Sequence, residues 1–321
     1  LEAGRERPRD PRCTEASMRF QIIFAVWLSA LLGTSLAAWS PAIGQEPSGA
    51  SNPSAEKFLL RYKMLEGTIL GSQVTHLAKT DTKIDKSEQS SQSRTVSQKV
   101  WEVTSVDPQG HMTFVYRIDQ VDMSQQVGDA PEIHYTSTQS EPPPRIYEKV
   151  AETIGKPIAT VTIDARGQVV DRDKKSAAPS LGMGDIAVVF PEQPIGEGES
   201  WDVPREIKIR TEDGGTKTIK IRERYTLEKA RSGIATIAIE SQPLTPIQLA
   251  QEEAQIVQQL SRGTLKFDID AGRVVSKELS WDESIVGFSG PGSQMEYSAR
   301  LEETWKDPIR TAQGSEGTTT K

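Results

Sequence analysis

The chain has 321 residues, with 38 basic and 45 acidic side chains, a formal net charge of −7 and one cysteine. The negative balance argues against nucleic acid and anionic membrane surfaces as partners. A lone Cys13 excludes an internal disulfide or a zinc–thiolate cluster, and a chain of this size buries a core without either.

In chain order, the first methionine is Met18. Arg19 and the apolar run Ile22–Leu36 read as a secretory signal, too short for a comfortable membrane span. Small residues allow cleavage after Ala37 or, preferably, before Gln45, where a Pro/Ser/Gly-rich stretch begins. Residues 1–17 then read as a mis-assigned upstream extension, 18–44 as the signal peptide and 45–56 as a flexible linker. The expectation is a cysteine-free mature chain, periplasmic or extracellular. Anchoring by an uncleaved Ile22–Leu36 helix is the alternative.

Strand signals dominate from Phe58. Thr218–Leu227 alternates Ile219, Ile221, Tyr225 and Leu227 with Lys220, Arg222, Arg224 and Thr226, the period of a half-buried strand. Asp213-Gly214-Gly215 joins it to Ile207 and Ile209 as a hairpin. A matching hairpin spans Thr68–Val106, with the polar stretch Lys86–Ser93 expected at its tip. Two amphipathic helices are predicted over Arg145–Ile154 and Pro246–Ser261. The last strands, Val274–Phe288 and Met295–Trp305, have no long counterpart in the first half, and the C-terminal one is expected to close back beside Phe58–Met64. The tail is expected to be disordered.

An internal repeat fixes the architecture. Ala159–Asp171 aligns with Gly263–Ser276, so Ile163 meets Phe267, Asp164 meets Asp268 and Gly167 meets Gly272. Upstream, Glu66-Gly67-Thr68 meets Glu197-Gly198-Glu199. Trp101-Glu102-Val103 followed by Gly110 meets Tyr225-Thr226-Leu227 followed by Gly233. The predicted fold is therefore α+β, mainly β: a large curved antiparallel sheet built from two related halves, 57–190 and 191–308, in one domain, each with one amphipathic helix.

Tyr135–Val170 (YTSTQSEPPPRIYEKVAETIGKPIATVTIDARGQVV) and Phe190–Trp201 (FPEQPIGEGESW) resemble signatures of an uncharacterised family of secreted planctomycete proteins. The likeness covers most of the mature chain and implies no activity. The layout is also similar, architecturally only, to bacterial lipoprotein carriers.

Chemistry is sparse. His76, His111 and His134 are far apart and lack metal-ligand spacing; there is no GxSxG elbow, P-loop or dinucleotide fingerprint. Asp164 and Asp268 could pair as acid and base in a hydrolase, but aspartates before turns ordinarily accept backbone N–H groups. Trp101, Trp201, Trp281 and Trp305 could form a ligand platform or pack in the core. Glu253 falls on the apolar sector of the second helix, between Leu249, Ile256 and Leu260, where a carboxylate needs water or a partner. A ligand cavity beneath that helix, lined by Glu253, Ile256 and Leu260, is the candidate site. The expectation is a non-catalytic envelope protein holding an apolar ligand such as a lipid between sheet and helices, without catalytic residues, metal or cofactor. A structural or adhesive surface component is the alternative.

Overall fold

A computed structural model describes residues 56–173 and 187–307 and the backbone of 309–310. The expected leader and signal, nearly all of the linker, the Ala177–Gly184 stretch and the tail beyond Arg310 lie outside these residues. No helix among the described residues is long and apolar enough to cross a membrane.

The first half contributes β2 (Thr68–Ile84), β3 (Ser87–Val106), β4 (Met112–Val127), β6 (Pro157–Ile163) and β7 (Val169–Arg172), with a side strand β5 (Ile133–Thr136). The second contributes β9 (Ser200–Arg210), β10 (Thr216–Arg231), β11 (Ile234–Pro243), β12 (Arg262–Asp268) and β13 (Arg273–Val286). Between them in the sheet stands β14 (Ser293–Trp305). Short β1 (Lys57–Phe58) pairs with β8 (Ile195–Gly196), and β15 (Ile309–Arg310) pairs with β2. The 13-stranded sheet runs β7-β6-β4-β3-β2-β14-β13-β12-β11-β10-β9.

Each half is thus the same antiparallel meander, laid down twice in one direction with β14 inserted. Registers agree as well. Met112 faces Ile163 and Phe114 faces Val161; Ala235 faces Phe267 and Ile237 faces Leu265. Leu70 faces Trp101 as Trp201 faces Tyr225. Gly67 N–H donates to Val103 O at 2.8 Å, and Gly198 N–H to Leu227 O at 2.7 Å. The repeat is therefore structural as well as textual.

One peptide segment shows how far the sheet bends. Tyr62 N–H donates to Ala165 O at 2.7 Å, in the β6–β7 turn, and Lys63 N–H to Gly272 O at 3.0 Å, in the β12–β13 turn. Adjacent residues touch turns that are several strands apart, so the two halves face one another at this end. The close approach explains both turn glycines. Gly167 has φ 89° and Gly272 φ 63°, and a Cβ would come within 2.5 Å of Val188 O or Lys63 N. Between the halves lies one core: Phe114, Ile163, Leu227, Ile237 and Phe267 are all buried in it, and Tyr62 packs on Phe190 and Phe267 with centroids 5.1 and 5.5 Å apart.

Three expectations need correction. Ser87–Ser93 is strand, not a tip: Ile84 pairs with Ser87, and the turn is Asp85-Lys86, with Asp85 at φ 54°. Its polar residues are carried by pairing with β2 throughout, and from Ser91 with β4 as well. Both helices are shorter than predicted. The first is a 3₁₀ turn at Arg145–Tyr147 and a helix at Glu148–Ala151; the second is a helix at Ala250–Ile256 and a 3₁₀ turn at Val257–Gln259. Residues before Ala250 are held extended against β10, where Leu244 N–H donates to Lys220 O at 2.8 Å and Lys220 N–H to Thr245 Oγ1 at 2.8 Å. Finally, β14 closes on β2 over thirteen residue pairs, from Ser293↔Ile84 to Trp305↔Ser72, rather than on Phe58–Met64. The latter segment serves as the tie between the turns.

Candidate binding site between the two halves

Side chains alternate along a strand, so every second residue of β2, β3, β13 and β14 faces the inner side of the sheet. The inner row of β14 reads Leu301, Glu303, Trp305; that of β2 reads Leu70, Ser72, Val74; that of β3 reads Lys99, Trp101, Val103. Glu303 and Lys99 are each 5% exposed. Lys99 Nζ lies 3.3 Å from Glu303 Oε1 and Lys277 Nζ 3.5 Å from Glu303 Oε2; Ser72 Oγ donates to Oε1 at 2.9 Å. Burial opposes ionisation of Glu303, yet the two ammonium groups outweigh it and hold the carboxyl below its usual range. Burial pulls Lys99 downward, against the Glu303 charge.

One step along β3 and β14 lies a space of about 30 Å³, walled by Tyr62, Leu70, Trp101, Phe114, Arg273 and Trp305 among others. It holds a group the size of one or two waters. Trp101 packs edge-on to Phe114 at 6.0 Å and against Tyr116 at 4.5 Å. The indole N–H groups of Trp101 and Trp305 are both buried and have no hydrogen-bond partner among the described residues. The Tyr62 hydroxyl is occupied: it accepts from Val188 N–H at 3.1 Å and donates to Val188 O at 3.3 Å. Burial pushes its pKa up.

The residues singled out from sequence are placed otherwise. Ile256 is fully buried and packs against Ile209, Ile219 and Ile221, with Leu260 half-buried beside them. Val257 packs against Ile285 and Phe288. The underside of the second helix meets side chains, and Glu253 is exposed, which corrects its expected place in an apolar sector. Its neighbour Glu252 turns inward and pairs with Lys217 at 2.7 Å. Successive residues of a helix are about 100° apart, and that rotation separates the two carboxylates. Glu253 instead faces the half-buried Glu283 of β13, whose pKa burial raises, against Arg262 and with help from Glu253.

Asp164 and Asp268 serve their turns. Asp164 Oδ1 accepts N–H bonds from Arg166 and Gln168, both at 2.8 Å, and Asp268 Oδ1 accepts one from Ala271 at 2.8 Å. His111 bonds Asp107 and His134 bonds Asp122, while His76 lies edge-on to Trp281 at 6.1 Å. No group of three metal-ligating side chains occurs among the described residues. Trp201 and Trp281 donate to Val189 O at 2.8 Å and Gln258 O at 3.1 Å.

An open groove of about 530 Å³ also lies on the outer face of β2, β3, β4 and β14, lined by Leu77, Arg94, Ser124, Glu132 and Arg300 among others. Its cations are engaged: Arg94 pairs with Asp122, and Arg300 with Glu302 at 2.7 Å. The smaller space, by contrast, is walled by two indoles whose N–H groups have no partner among the described residues.

No family model matches the chain, and no curated protein matches it. Among solved structures, one on lipid–protein interactions in lipovitellin is similar with TM-score 0.43 and 11% identity, over 78% of this chain and 26% of that one. Pseudomonas aeruginosa OpdQ is similar with TM-score 0.20 and 8% identity, over 75% of this chain and 99% of that one. The chain spans about a quarter of the lipovitellin chain.

Proposed function

We propose that the protein is an exported, non-catalytic binding protein of the cell envelope, and that it takes an apolar ligand between the two halves of its sheet. The observation that carries this reading is the space between the halves: a largely apolar wall at the edge of the core, with two buried indole donors that have no partner among the described residues. Such a combination of apolar lining and a few polar groups is the usual make-up of a small-molecule site. The space holds the end of a ligand. A longer apolar chain enters only by parting ring contacts such as Trp101–Tyr116 and Tyr62–Phe190, so binding should be slow and should change tryptophan emission. The sequence pattern of Met18–Gly44, and the resemblance to secreted planctomycete proteins, support export.

The packing beneath Ala250–Ile256 favours a second reading, a structural envelope component with no small-molecule site. Organic extraction of the purified full chain, followed by mass spectrometry, separates the two. A co-purifying apolar species near one per chain supports the binding protein. Extracts free of any such species, with no saturable uptake of added lipid, would leave the structural component.

A further inference from the structure

The interior space has a chemical sign. Trp101 and Trp305 present N–H donors, and an indole nitrogen donates only. Arg273, on the same wall, is engaged: its guanidinium bonds Lys306 O at 3.3 Å and pairs with Asp307 at 2.7 Å. Trp101 is 5% exposed, so bulk water does not supply its acceptor. The polar side-chain atoms of the wall that remain unbonded are donors. A water molecule could accept from the indoles, but its own two protons would then need acceptors. Beyond the wall, Lys99 precedes Trp101 by two residues on β3, and Glu303 precedes Trp305 by two on β14, so the charged row directly adjoins the space. There, two ammonium groups share one carboxylate. An apolar space bordered by two unbonded indole donors and adjoining that row matches a head group that only accepts and carries one negative charge.

We propose that this space binds a small monoanionic acceptor group, carried by an apolar ligand as its carboxylate or supplied as a free anion. The proposal rests on the reading that the ligand of this protein enters here. It names the ligand class as a fatty-acid-like amphiphile: the carboxylate takes the two indole N–H groups, and the chain lies among the aromatic walls. An uncharged alcohol of equal chain length carries a hydroxyl proton that the wall cannot accept and gains nothing from the charged row.

Tryptophan fluorescence of the full chain tests this, by titration with decanoate, decanol, acetate and chloride in a buffer free of other small anions. Decanoate should saturate the change at a concentration at least tenfold below that of decanol. Saturation by acetate or chloride alone also supports the proposal and assigns the site to a free anion. Equal affinity for decanol and decanoate overturns the proposal and leaves the apolar-ligand reading standing. Absence of a saturable change with all four overturns both. Lys277→Met removes one charge from the row without touching the space, and should weaken decanoate about tenfold while leaving decanol unchanged. Trp305→Phe removes one donor and should do the same; if either variant fails to fold by circular dichroism, the other decides. Unchanged decanoate affinity in a folded variant contradicts the proposal.

Discussion

The two halves of the sheet share strand order, register and turn glycines, yet they end up chemically unequal. In the second half the polar atoms of the aromatic core residues are engaged. Tyr225 Oη–H donates to Glu223 at 2.7 Å, and Trp201 N–H to Val189 O at 2.8 Å. At the equivalent places the first half has Trp101, whose N–H has no acceptor among the described residues, and Leu70, which has no polar atom at all. The inserted strand β14 adds Trp305, with the same deficit, and Glu303, with the buried charges around it. The two halves are thus scaffolds of one design whose aromatic cores differ: the aromatic polar atoms of the second are bonded, and the first borders an apolar gap at its seam with β14. Native interiors rarely leave buried donors unpaired, and when they do a ligand, ion or water is the usual explanation.

Core truncation gives the largest expected effect. Phe267→Ala should destabilise by about 4 kcal/mol and its counterpart Ile163→Ala by about 3 kcal/mol, since both side chains fill the same shared core. Denaturant unfolding should show one transition in each case. Two transitions for Ile163→Ala would show that the halves unfold separately and would break the comparison at its root.

Next comes Glu303→Gln, at a site without a counterpart in the second half. It leaves two buried ammonium groups sharing no carboxylate and should cost about 3 kcal/mol. The sign of its pH dependence follows from the lowered carboxyl pKa. The native chain holds this contribution above pH 4.5, the unperturbed value, and loses it as pH falls through the lower folded value. Stability of the native chain and the Gln variant should therefore converge in acid; parallel curves would show that the carboxylate is not ionised in the fold.

Tyr225→Phe removes a hydrogen bond that the second half has made, and should cost about 1 kcal/mol in the same assay. A neutral result would mean the second half gains nothing from its satisfied hydroxyl. Smallest is the effect of His76, edge-on to Trp281, whose pKa burial lowers from 6.5. Below that value the unfolded chain takes up the proton first, so stability should decline gently as pH falls toward the folded value. His76→Phe should flatten that decline and leave stability above neutrality nearly unchanged.

Much of this scaffold was legible in the sequence because its constraints are local. Gly67, Gly110, Gly167 and their partners mark turns that need positive φ, and such positions survive in a repeat even where side chains diverge. Period-two alternation located the β9–β10 hairpin and the last two long strands. What escaped depends on tertiary context. Ser87–Ser93 has a weak strand signal and is strand because its neighbours pair with it. The second helix starts late because β10 holds residues 244 and 245 extended, and Glu252 rather than Glu253 lies inside because it pairs with Lys217 of β10. The charged row was missed although a signal existed: Lys99 is in phase with Trp101 and Val103, and Glu303 with Leu301 and Trp305. Charged residues at inward positions of three strands could have been noticed, but which strands adjoin is set by the insertion of β14, and no local pattern states that.

The most direct test of the interior site is the indole N–H region of a ¹⁵N-correlated NMR spectrum, recorded on the full chain with and without decanoate. The Trp101 and Trp305 signals, assigned by single Trp→Phe variants, should shift as their donors gain an acceptor. Those of Trp201 and Trp281, already bonded to backbone carbonyls, should stay in place. Movement of Trp201 or Trp281 alone, or of none of the four at saturating decanoate, would contradict a ligand site between the halves.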